Sequence, residues 1–359
     1  MSLTCGLIGL PSSGKTTIFN AITAAGVASY SGSEMNRAVV SVPDRRVYLL
    51  ADMYRPAKTV PATVDIVDIP GIKPQSAAGE GRGLRLLAHI KDVEALLHVV
   101  RCFEEEAVPF SPRTIDHRRD VEDIDLELMV ADSQTLQNKI SRLAKKARTD
   151  VDLSRMVENC QKVKDGLEQG TPARRQRLSA IEIASIRDCN LLSLKPVLYI
   201  ANVKSIQDSS NSSVKVLQEM ASVEGSEMVT ICGRDEAEIS ELDPVDRQDF
   251  LAALGLKESS MERLLRAAYR MLGLVSFFTT GEDEVHAWTC RQGDLAPVAA
   301  GKIHTDMEKG FIRMEVTRCE DLLELGSEAA AARAGKQRME GRNYQVQDGD
   351  IVVVRFNPN

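Results

Sequence analysis

The sequence predicts an α/β fold in which a predominantly parallel sheet is interrupted by a helical insertion and followed by a strand-rich region. Three observations lead to this prediction. Short apolar runs typical of buried strands are followed by helical stretches before residue 122 and again after residue 193. Residues 121–189 contain no strand-like run. The region from residue 277 to residue 356 is rich in predicted strands: Val285–Thr289 and Phe311–Val316 alternate as half-buried strands do, and Ile351–Phe356 is the final strand.

Length and composition exclude several classes of protein. A chain of 359 residues fits two or three domains, and a hydrophobic content of 43% is too high for a disordered protein. No apolar run reaches about 18 residues, so we expect no membrane span and no membrane partner. The net charge of −7 argues against a simple nucleic-acid coat. The seven cysteines form no CxxC pair, which is typical of a protein in the reducing cytoplasm.

A phosphate-binding loop follows the first predicted strand. The segment matches GxxxxGK[ST] and reads Gly9-Leu10-Pro11-Ser12-Ser13-Gly14-Lys15-Thr16. It lies between an apolar run, Leu3 to Leu10, and a predicted helix, Thr16 to Ala25. In such loops the glycines let backbone amides face phosphate oxygens, and the helix N-terminus adds a favourable dipole. Lys15 is therefore predicted to contact the β- and γ-phosphates, and Thr16 to ligate Mg²⁺.

A second phosphate-proximal element ends the predicted strand that begins at Thr63. Its DxxG pattern offers Asp68 as a magnesium residue and Gly71 as an amide donor to the γ-phosphate. DxxG is weak alone, but its distance of 50 to 60 residues from the loop is typical of this class of fold. Because side chains alternate along a strand, Asp65 lies on the opposite face from Asp68 and is interpreted as structural. The predicted catalytic residues are Lys15 and Gly71.

Base recognition is predicted where two later strands end. GTPases usually place NKxD after the first of these strands, but the tetrad here is Asn202-Val203-Lys204-Ser205. The lysine and aspartate positions of that motif are lost, so guanine selection is not supported. The second strand ends at Cys232. The complete predicted nucleotide-binding set is Pro11, Ser12, Ser13, Gly14, Lys15, Thr16, Thr17, Asn202, Val203 and Cys232.

The central segment is predicted to be a helical hairpin. Apolar residues recur at helical spacing in its first half, and Gly170-Thr171-Pro172 marks the turn after which the chain returns. The apolar positions are Leu126, Val130, Leu136, Ile140 and Leu143. Between Lys139 and Asp188 there are twelve basic and seven acidic residues, a local net charge of +5. The segment is either a basic arm that contacts RNA phosphates or a solvated helical pair of mixed charge.

Taken together, these stretches resemble the YchF-type Obg-like ATPases. The resemblance covers nearly the whole chain and rests on GLPSSGKTTIFNAIT, VDIVDIPGI, LKPVLYIANV and EAEISELD, and on the C-terminal GKIHTDMEKGFIRMEV and GRNYQVQDGDIVVVRFN. It implies a nucleotide-binding domain at 1–122 and 193–275, an antiparallel helical coiled coil at 123–192 and a β-grasp TGS domain at 276–359. It also implies ATP hydrolysis and association with the ribosome and its RNA through the helical arm and the TGS domain, by a monomer.

Departures from this family leave two functions open. Ser205 replaces the family's acidic residue, and Phe110 stands where the family has a histidine that assists the attacking water. His117, seven residues later, would replace that histidine only after a loop rearrangement. The first hypothesis is an ATP-hydrolysing switch that acts through the loops around Glu34 and Gly79. The alternative is a nucleotide-binding ribosome or RNA module with little hydrolysis, or one that also accepts GTP.

Overall fold

The computed structural model describes residues 4–24, 29–32, 35–72, 82–103, 116–253 and 255–357. The chain forms two compact units. The first comprises Met1–Val39 and Asp65–Leu264, and the second comprises Val40–Val64 and Leu265–Asn359. Each unit has its own sheet and its own apolar core.

The strands, in chain order, are β1 (Thr4–Ile8), β2 (Ser29–Gly32), β3 (Met35–Ser41), β4 (Lys58–Val60), β5 (Thr63–Asp68), β6 (Ala95–Arg101), β7 (Val197–Asn202), β8 (Met228–Ile231), β9 (Leu274–Thr279), β10 (Glu284–Arg291), β11 (Phe311–Arg318), β12 (Arg338–Glu340) and β13 (Asp350–Phe356). The α-helices are α1 (Lys15–Ala24), α2 (Arg45–Tyr54), α3 (Arg82–Asp92), α4 (His117–Ala147), α5 (Val151–Glu168), α6 (Ala180–Ile186), α7 (Ser212–Glu224), α8 (Gly233–Glu241), α9 (Pro244–Ala253), α10 (Ser260–Met271), α11 (Ala296–Ile303), α12 (Thr305–Lys309), α13 (Cys319–Leu325) and α14 (Glu328–Arg333).

The sheet of the first unit has the order β2-β3-β5-β1-β6-β7-β8. β1 pairs in parallel with β5 and β6, and β7 pairs in parallel with β6 and β8, which confirms the predicted parallel strands. The side chains of β6 and β7 are almost all buried, as expected for strands covered on both faces. Parallel strands end at one edge of a sheet, so the segments after β1, β5, β7 and β8 share that edge.

The helical insertion reverses direction earlier than the sequence pattern indicates. α4 ends at Ala147 and α5 begins at Val151, so the turn of the hairpin lies at residues 148–150 and not at residues 170–172. After α5 the chain returns through short 3-10 turns and α6. The apolar core of this region joins Leu136 of α4 to Cys160 and Val163 of α5.

The buried face of α4 differs from the predicted stripe. Leu126 and Val130 are 53% and 46% exposed. The buried residues of α4 also include four charged ones, Asp125, Glu127, Asp132 and Lys139. Asp132 accepts hydrogen bonds from the backbone N–H groups of Leu192 and Ser193 at 2.8 and 2.7 Å. Leu136 of the predicted stripe is buried and Ile140 packs against the same core, so the stripe is correct at these two positions. The buried charges elsewhere on this face are invisible to a hydrophobic periodicity.

The second unit contains the sheet β12-β11-β13-β9-β10-β4. β10, β11 and β13 confirm the strands predicted for the C-terminal region. β4 comes from far earlier in the chain and pairs in parallel with β10. The adjoining helix α2 belongs to the same unit, where Arg46 bridges Asp44 and Asp348. This differs from the predicted division, which assigned residues 40–64 and 265–275 to the nucleotide-binding domain, because a three-residue strand carries no sequence signal of its partner.

All seven cysteines are buried and unpaired. In the described part of the chain, no helix combines the length and the apolar character needed to cross a membrane.

Candidate functional site

The loop between β1 and α1 has the backbone conformation of a phosphate cradle. Gly9 and Gly14 have φ values of 155° and 92°, and Ser12 has a φ of 63°. A side chain at Gly9 would lie 2.5 Å from the carbonyl oxygen of Val99, and one at Gly14 would overlap the amide nitrogen of Asn202. Glycine is therefore required at both positions by conformation and by space.

Lys15 is buried beneath this loop. Its Nζ donates hydrogen bonds to the carbonyl oxygens of Gly9 and Leu10 at 3.0 and 2.9 Å. Burial lowers the pKa of Lys15 to about 8, although the nearby Asp68 carboxylate opposes this shift. Among the described residues, the hydrogen bonds of the ammonium go to these two neutral carbonyl oxygens, and an anionic ligand would be a stronger partner.

Thr16 and Asp68 form a pair of oxygen donors beside Lys15. Burial raises the pKa of Asp68, and the charge of Lys15 and the nearby Thr16 hydroxyl oppose the rise. A hydroxyl and a carboxylate at one point are the oxygen ligands that Mg²⁺ prefers, so the donor set fits the predicted ion.

The DxxG segment lies directly against the phosphate loop. The Ile72 N–H donates to the carbonyl oxygen of Gly9 at 3.2 Å. A side chain at Gly71 would lie 3.1 Å from the Pro11 nitrogen and 3.2 Å from the Lys15 Nζ. Gly71 is therefore close enough to the loop to meet a phosphate held there.

Asn202, at the end of β7, connects the phosphate loop to the base-recognition segments. Its Nδ2 donates to the Ser13 carbonyl oxygen at 2.9 Å, and its Oδ1 accepts from the Gly233 N–H at 3.4 Å. Beside it lies a cavity of about 350 Å³. Its lining residues are Gly14, Thr17, Phe103, Asn202, Val203, Lys204, Cys232, Gly233, Arg234 and Ala237.

The structure brings together most of the predicted site residues. Pro11 and Ser12 are exposed on the loop, and Thr16 and Thr17 are exposed in the first turn of α1. The Ser13 hydroxyl is buried without a partner in the described part of the chain. Five lining residues are not among those predicted from the sequence, namely Phe103, Lys204, Gly233, Arg234 and Ala237. Phe103 follows β6 and Gly233 follows β8, so the rule that ligands bind at the carboxyl edge of the strands would have identified both segments.

Other candidate residues have different surroundings. His98 is 2% exposed, its ring centroid lies 5.6 Å from that of Tyr199, and burial lowers its pKa to about 3, so it is a neutral core residue. His117 begins α4 and lines a neighbouring cavity of about 470 Å³ with Phe103 and Lys204. Phe110, Glu34 and Gly79 lie outside the described residues.

Comparisons with known proteins agree with this architecture. A family model described as "50S ribosome-binding GTPase" matches residues 4–152, and the model YchF-GTPase_C, described as "Protein of unknown function (DUF933)", matches residues 274–357. The chain is 41% identical over 365 residues to the "Ribosome-binding ATPase YchF" of Bacillus subtilis (strain 168), with 99% of this chain and 100% of the relative covered.

A second relative and a solved structure extend the likeness. The protein of the same name from Escherichia coli O157:H7 is 41% identical over 362 residues, covering 99% of this chain and 100% of the relative. The solved structure of the Schizosaccharomyces pombe YchF GTPase is 29% identical and has a TM-score of 0.88, covering 99% of this chain and 98% of that chain. With this identity over its full length, the chain belongs to the YchF family.

Proposed function

We propose that the protein is a Mg²⁺-dependent ATPase that acts as a monomeric, ribosome-associated switch in the cytoplasm. The observation that carries the proposal is the direct contact between the phosphate loop and the DxxG segment, with Lys15, Thr16 and Asp68 at the junction. The relatives' printed name, ribosome-binding ATPase, supports both the reaction and the partner.

Phosphate binding would use groups that are already in position. The Lys15 ammonium exchanges two carbonyl acceptors for phosphate oxygens, a change from neutral to charge-assisted hydrogen bonds. Thr16 and Asp68 would hold Mg²⁺, which when bound neutralises phosphate charge. The Gly71 backbone would face the terminal phosphate, so the DxxG segment can respond to its presence.

The base pocket favours adenine over guanine. Guanine selection by the common tetrad requires a carboxylate at the position of Ser205. The Ser205 hydroxyl instead accepts a hydrogen bond from the Gln207 N–H at 3.3 Å, so it caps the following 3-10 turn. GTP is the second candidate ligand, because the phosphate half of the site does not distinguish the two nucleotides.

A nucleotide-binding module with little hydrolysis is the second candidate function. The residue after DxxG, Ile72, is fully buried in the apolar core and offers no polar group to an attacking water. The sequence has Phe110 where the family has a histidine. These two positions favour slow turnover, and single-turnover kinetics separates the two functions.

We also propose the domain roles that the family resemblance implies. Residues 276–359 would form a TGS domain, and the insertion at 123–192 a coiled-coil arm within the nucleotide-binding domain. That domain was predicted at 1–122 and 193–275, and within these bounds residues 40–64 and 265–275 fall in the compact unit of the C-terminal sheet. The sheet β12-β11-β13-β9-β10 and the hairpin of α4 and α5 support these assignments. Both regions would contact the ribosome.

The charge of the arm is concentrated near its turn. Five of its twelve basic residues form ion pairs with the arm itself or with α7, namely Lys139, Lys162, Lys164, Arg174 and Arg175. Five exposed residues near the turn, here called the tip cluster, form no ion pair with the described residues; they are Arg142, Lys145, Lys146, Arg148 and Arg155. The tip cluster is the part of the arm best suited to contact ribosomal RNA phosphates.

The nucleotide proposal is tested by calorimetric titration of ATP and of GTP with Mg²⁺. We expect tighter binding of ATP than of GTP, and a loss of at least about tenfold in ATP affinity for Lys15→Ala, because a charge-assisted contact is removed. The exposed Lys215 provides the matched control, Lys215→Ala, which should bind like the wild type.

Single-turnover hydrolysis with and without ribosomes completes this test. Turnover above background assigns the enzyme, and turnover at background in both conditions leaves only the binding module. An unchanged ATP affinity in Lys15→Ala, or tighter binding of GTP, contradicts the site or the base assignment respectively.

A further inference from the structure

Two loops form one wall of the base pocket and are joined by side-chain contacts. One loop follows β7 and contains residues 202–206, and the other is the first turn of α8. The Cys232 Sγ donates to the Lys204 carbonyl oxygen at 3.1 Å, and Asn202 accepts from the Gly233 N–H at 3.4 Å. The shape of the pocket therefore depends on how these loops are held together.

Asp235 makes a further contact between the same two loops. It is the third residue of α8 and half-buried. Its Oδ2 accepts a hydrogen bond from the Ile206 N–H at 3.3 Å, and the carboxylate also lies beside the Cys232 thiol. Asp235 does not line the cavity itself. Its carboxylate thus contacts the wall of the pocket at the Ile206 N–H without lining the cavity.

This contact lies next to Ser205, the position at which the tetrad lacks an acidic residue. Ser205 precedes Ile206 and contributes no carboxylate to the loop. A carboxylate from the adjoining helix reaches the next backbone amide instead. Because that carboxylate is bound to Ile206 and adjoins a thiol, it is not directed at the N1–H and amino group by which guanine is recognised.

We infer that Asp235 is a positioning residue for base recognition, holding residues 204–206 against α8 in the arrangement that accepts adenine. The inference rests on the proposed nucleotide site and adds a residue outside its motifs. Loss of the contact frees one side of the pocket wall while the phosphate loop, Lys15 and Asp68 keep their own contacts.

The test compares ligands with and without a base. ATP, GTP and inorganic tripolyphosphate are titrated with Mg²⁺ into the full chain carrying Asp235→Ala or Asp235→Asn. We expect Asp235→Ala to weaken ATP binding about tenfold, the usual effect of losing a hydrogen bond to a charged group, with tripolyphosphate affinity unchanged. Asp235→Asn retains an acceptor oxygen and should stay within about threefold of the wild type for ATP.

Ile206→Pro removes the other partner of the hydrogen bond. Ser205 has φ −144° and ψ 151°, the extended conformation that a residue before proline requires, and Ile206 begins a 3-10 turn where proline is tolerated. Ile206→Pro should reproduce the ATP-specific loss, and the double variant with Asp235→Ala should lose no more than either single variant. This variant also tests the inference if Asp235→Ala does not fold. The exposed Glu238 on α8 gives the matched control, Glu238→Ala, with wild-type affinities.

Three results would overturn the inference: unchanged ATP affinity in both Asp235→Ala and Ile206→Pro, equal losses for ATP and tripolyphosphate, or additive losses in the double variant. Failure of the wild type to bind either ATP or tripolyphosphate would instead contradict the proposed nucleotide site.

Discussion

At the residue scale, Lys15 is an ammonium held in a site that disfavours its charge. Burial lowers its pKa to about 8, so the charged form is lost as the pH rises through that value. The phosphate contact requires the charged form. The affinity for nucleotide should therefore decrease as the pH rises through about 8.

We predict that ATP affinity decreases between pH 7.5 and pH 9.5 as Lys15 loses its proton. The decrease should approach tenfold per pH unit once the pH exceeds about 8, since one proton is coupled to binding. Calorimetry at constant ionic strength measures the effect. Lys15→Met should bind weakly with a flat profile over this range, and a flat wild-type profile would contradict the prediction.

Because Gly14 has no side chain, the Asn202 amide beside the base pocket can approach the phosphate loop closely. A Cβ at this position would overlap the Asn202 amide that donates to Ser13. We predict that Gly14→Ala displaces Asn202 and lowers both ATP and tripolyphosphate affinity at least about tenfold. Isothermal titration measures the loss.

Gly225 is the matched control because its φ of 74° imposes a similar backbone strain, but a side chain there would meet nothing within 4 Å. Gly225→Ala should cost about 1 kcal/mol of stability and leave nucleotide affinity unchanged. Equal affinity losses in both variants would assign the effect to backbone strain and not to Asn202.

At the scale of elements, a buried ion cluster connects the insertion to the parallel sheet. Arg174 binds Asp125 of α4 at 2.7 Å and also contacts Glu224 of α7. Arg175 and the Tyr199 hydroxyl of β7 bind the same Glu224 carboxylate, at 2.6 and 3.0 Å. Among the described residues these charges compensate one another away from solvent, because the side chains of Arg174, Asp125 and Glu224 are all at most 7% exposed.

We predict that Glu224→Gln destabilises the first unit by about 3–5 kcal/mol, since it leaves a buried arginine without a full counter-charge. Urea denaturation followed by circular dichroism measures the change. The exposed Glu219 on the same helix gives the control, and Glu219→Gln should lie within about 0.5 kcal/mol of the wild type. A loss below about 1 kcal/mol for Glu224→Gln would show that the cluster is open to solvent.

The same cluster explains why the insertion was harder to predict than the sheet. The phosphate loop, the DxxG segment and Asn202 follow contiguous apolar strands, and their motifs identify the edge at which they meet. On α4, by contrast, Asp125, Asp132 and Lys139 occupy the buried face. Their partners lie between 46 and 61 residues away in sequence, so no local pattern identifies them as buried.

At the scale of the whole molecule, the net charge of −7 conceals the basic tip cluster. A protein of negative net charge that binds RNA must have its basic residues clustered at the surface that contacts the phosphates. Each phosphate neutralised releases counterions, so the logarithm of affinity falls with the logarithm of salt concentration by about 0.7–0.9 per contact.

We predict that Lys145→Glu combined with Lys146→Glu weakens ribosome binding and reduces its salt slope by about one to two units. Cosedimentation at several salt concentrations measures both quantities. The double variant Lys215→Glu and Lys257→Glu makes the same charge change at exposed positions outside the arm. If both double variants weaken binding equally, the effect arises from net charge and not from the tip cluster.

The division of the chain into units was only partly predictable from the sequence. Three regions of different pattern were evident, but β4 and α2 join the C-terminal sheet from residues 45–60. The register of β4 depends on pairing with residues more than 220 positions later in the chain, such as Glu284 opposite Lys58. Contacts of that sequence separation leave no periodic trace in a single sequence.

The seven buried cysteines can report the unfolding of the region in which each of them lies. A thiol reagent should find no target in the folded chain, because burial shields each sulfur and raises the pKa of residues such as Cys5 and Cys102 to about 12. Five of the seven lie in the first unit, and Cys290 and Cys319 lie in the second. Pulsed alkylation read by peptide mass would therefore time the unfolding of each unit separately, without an engineered label.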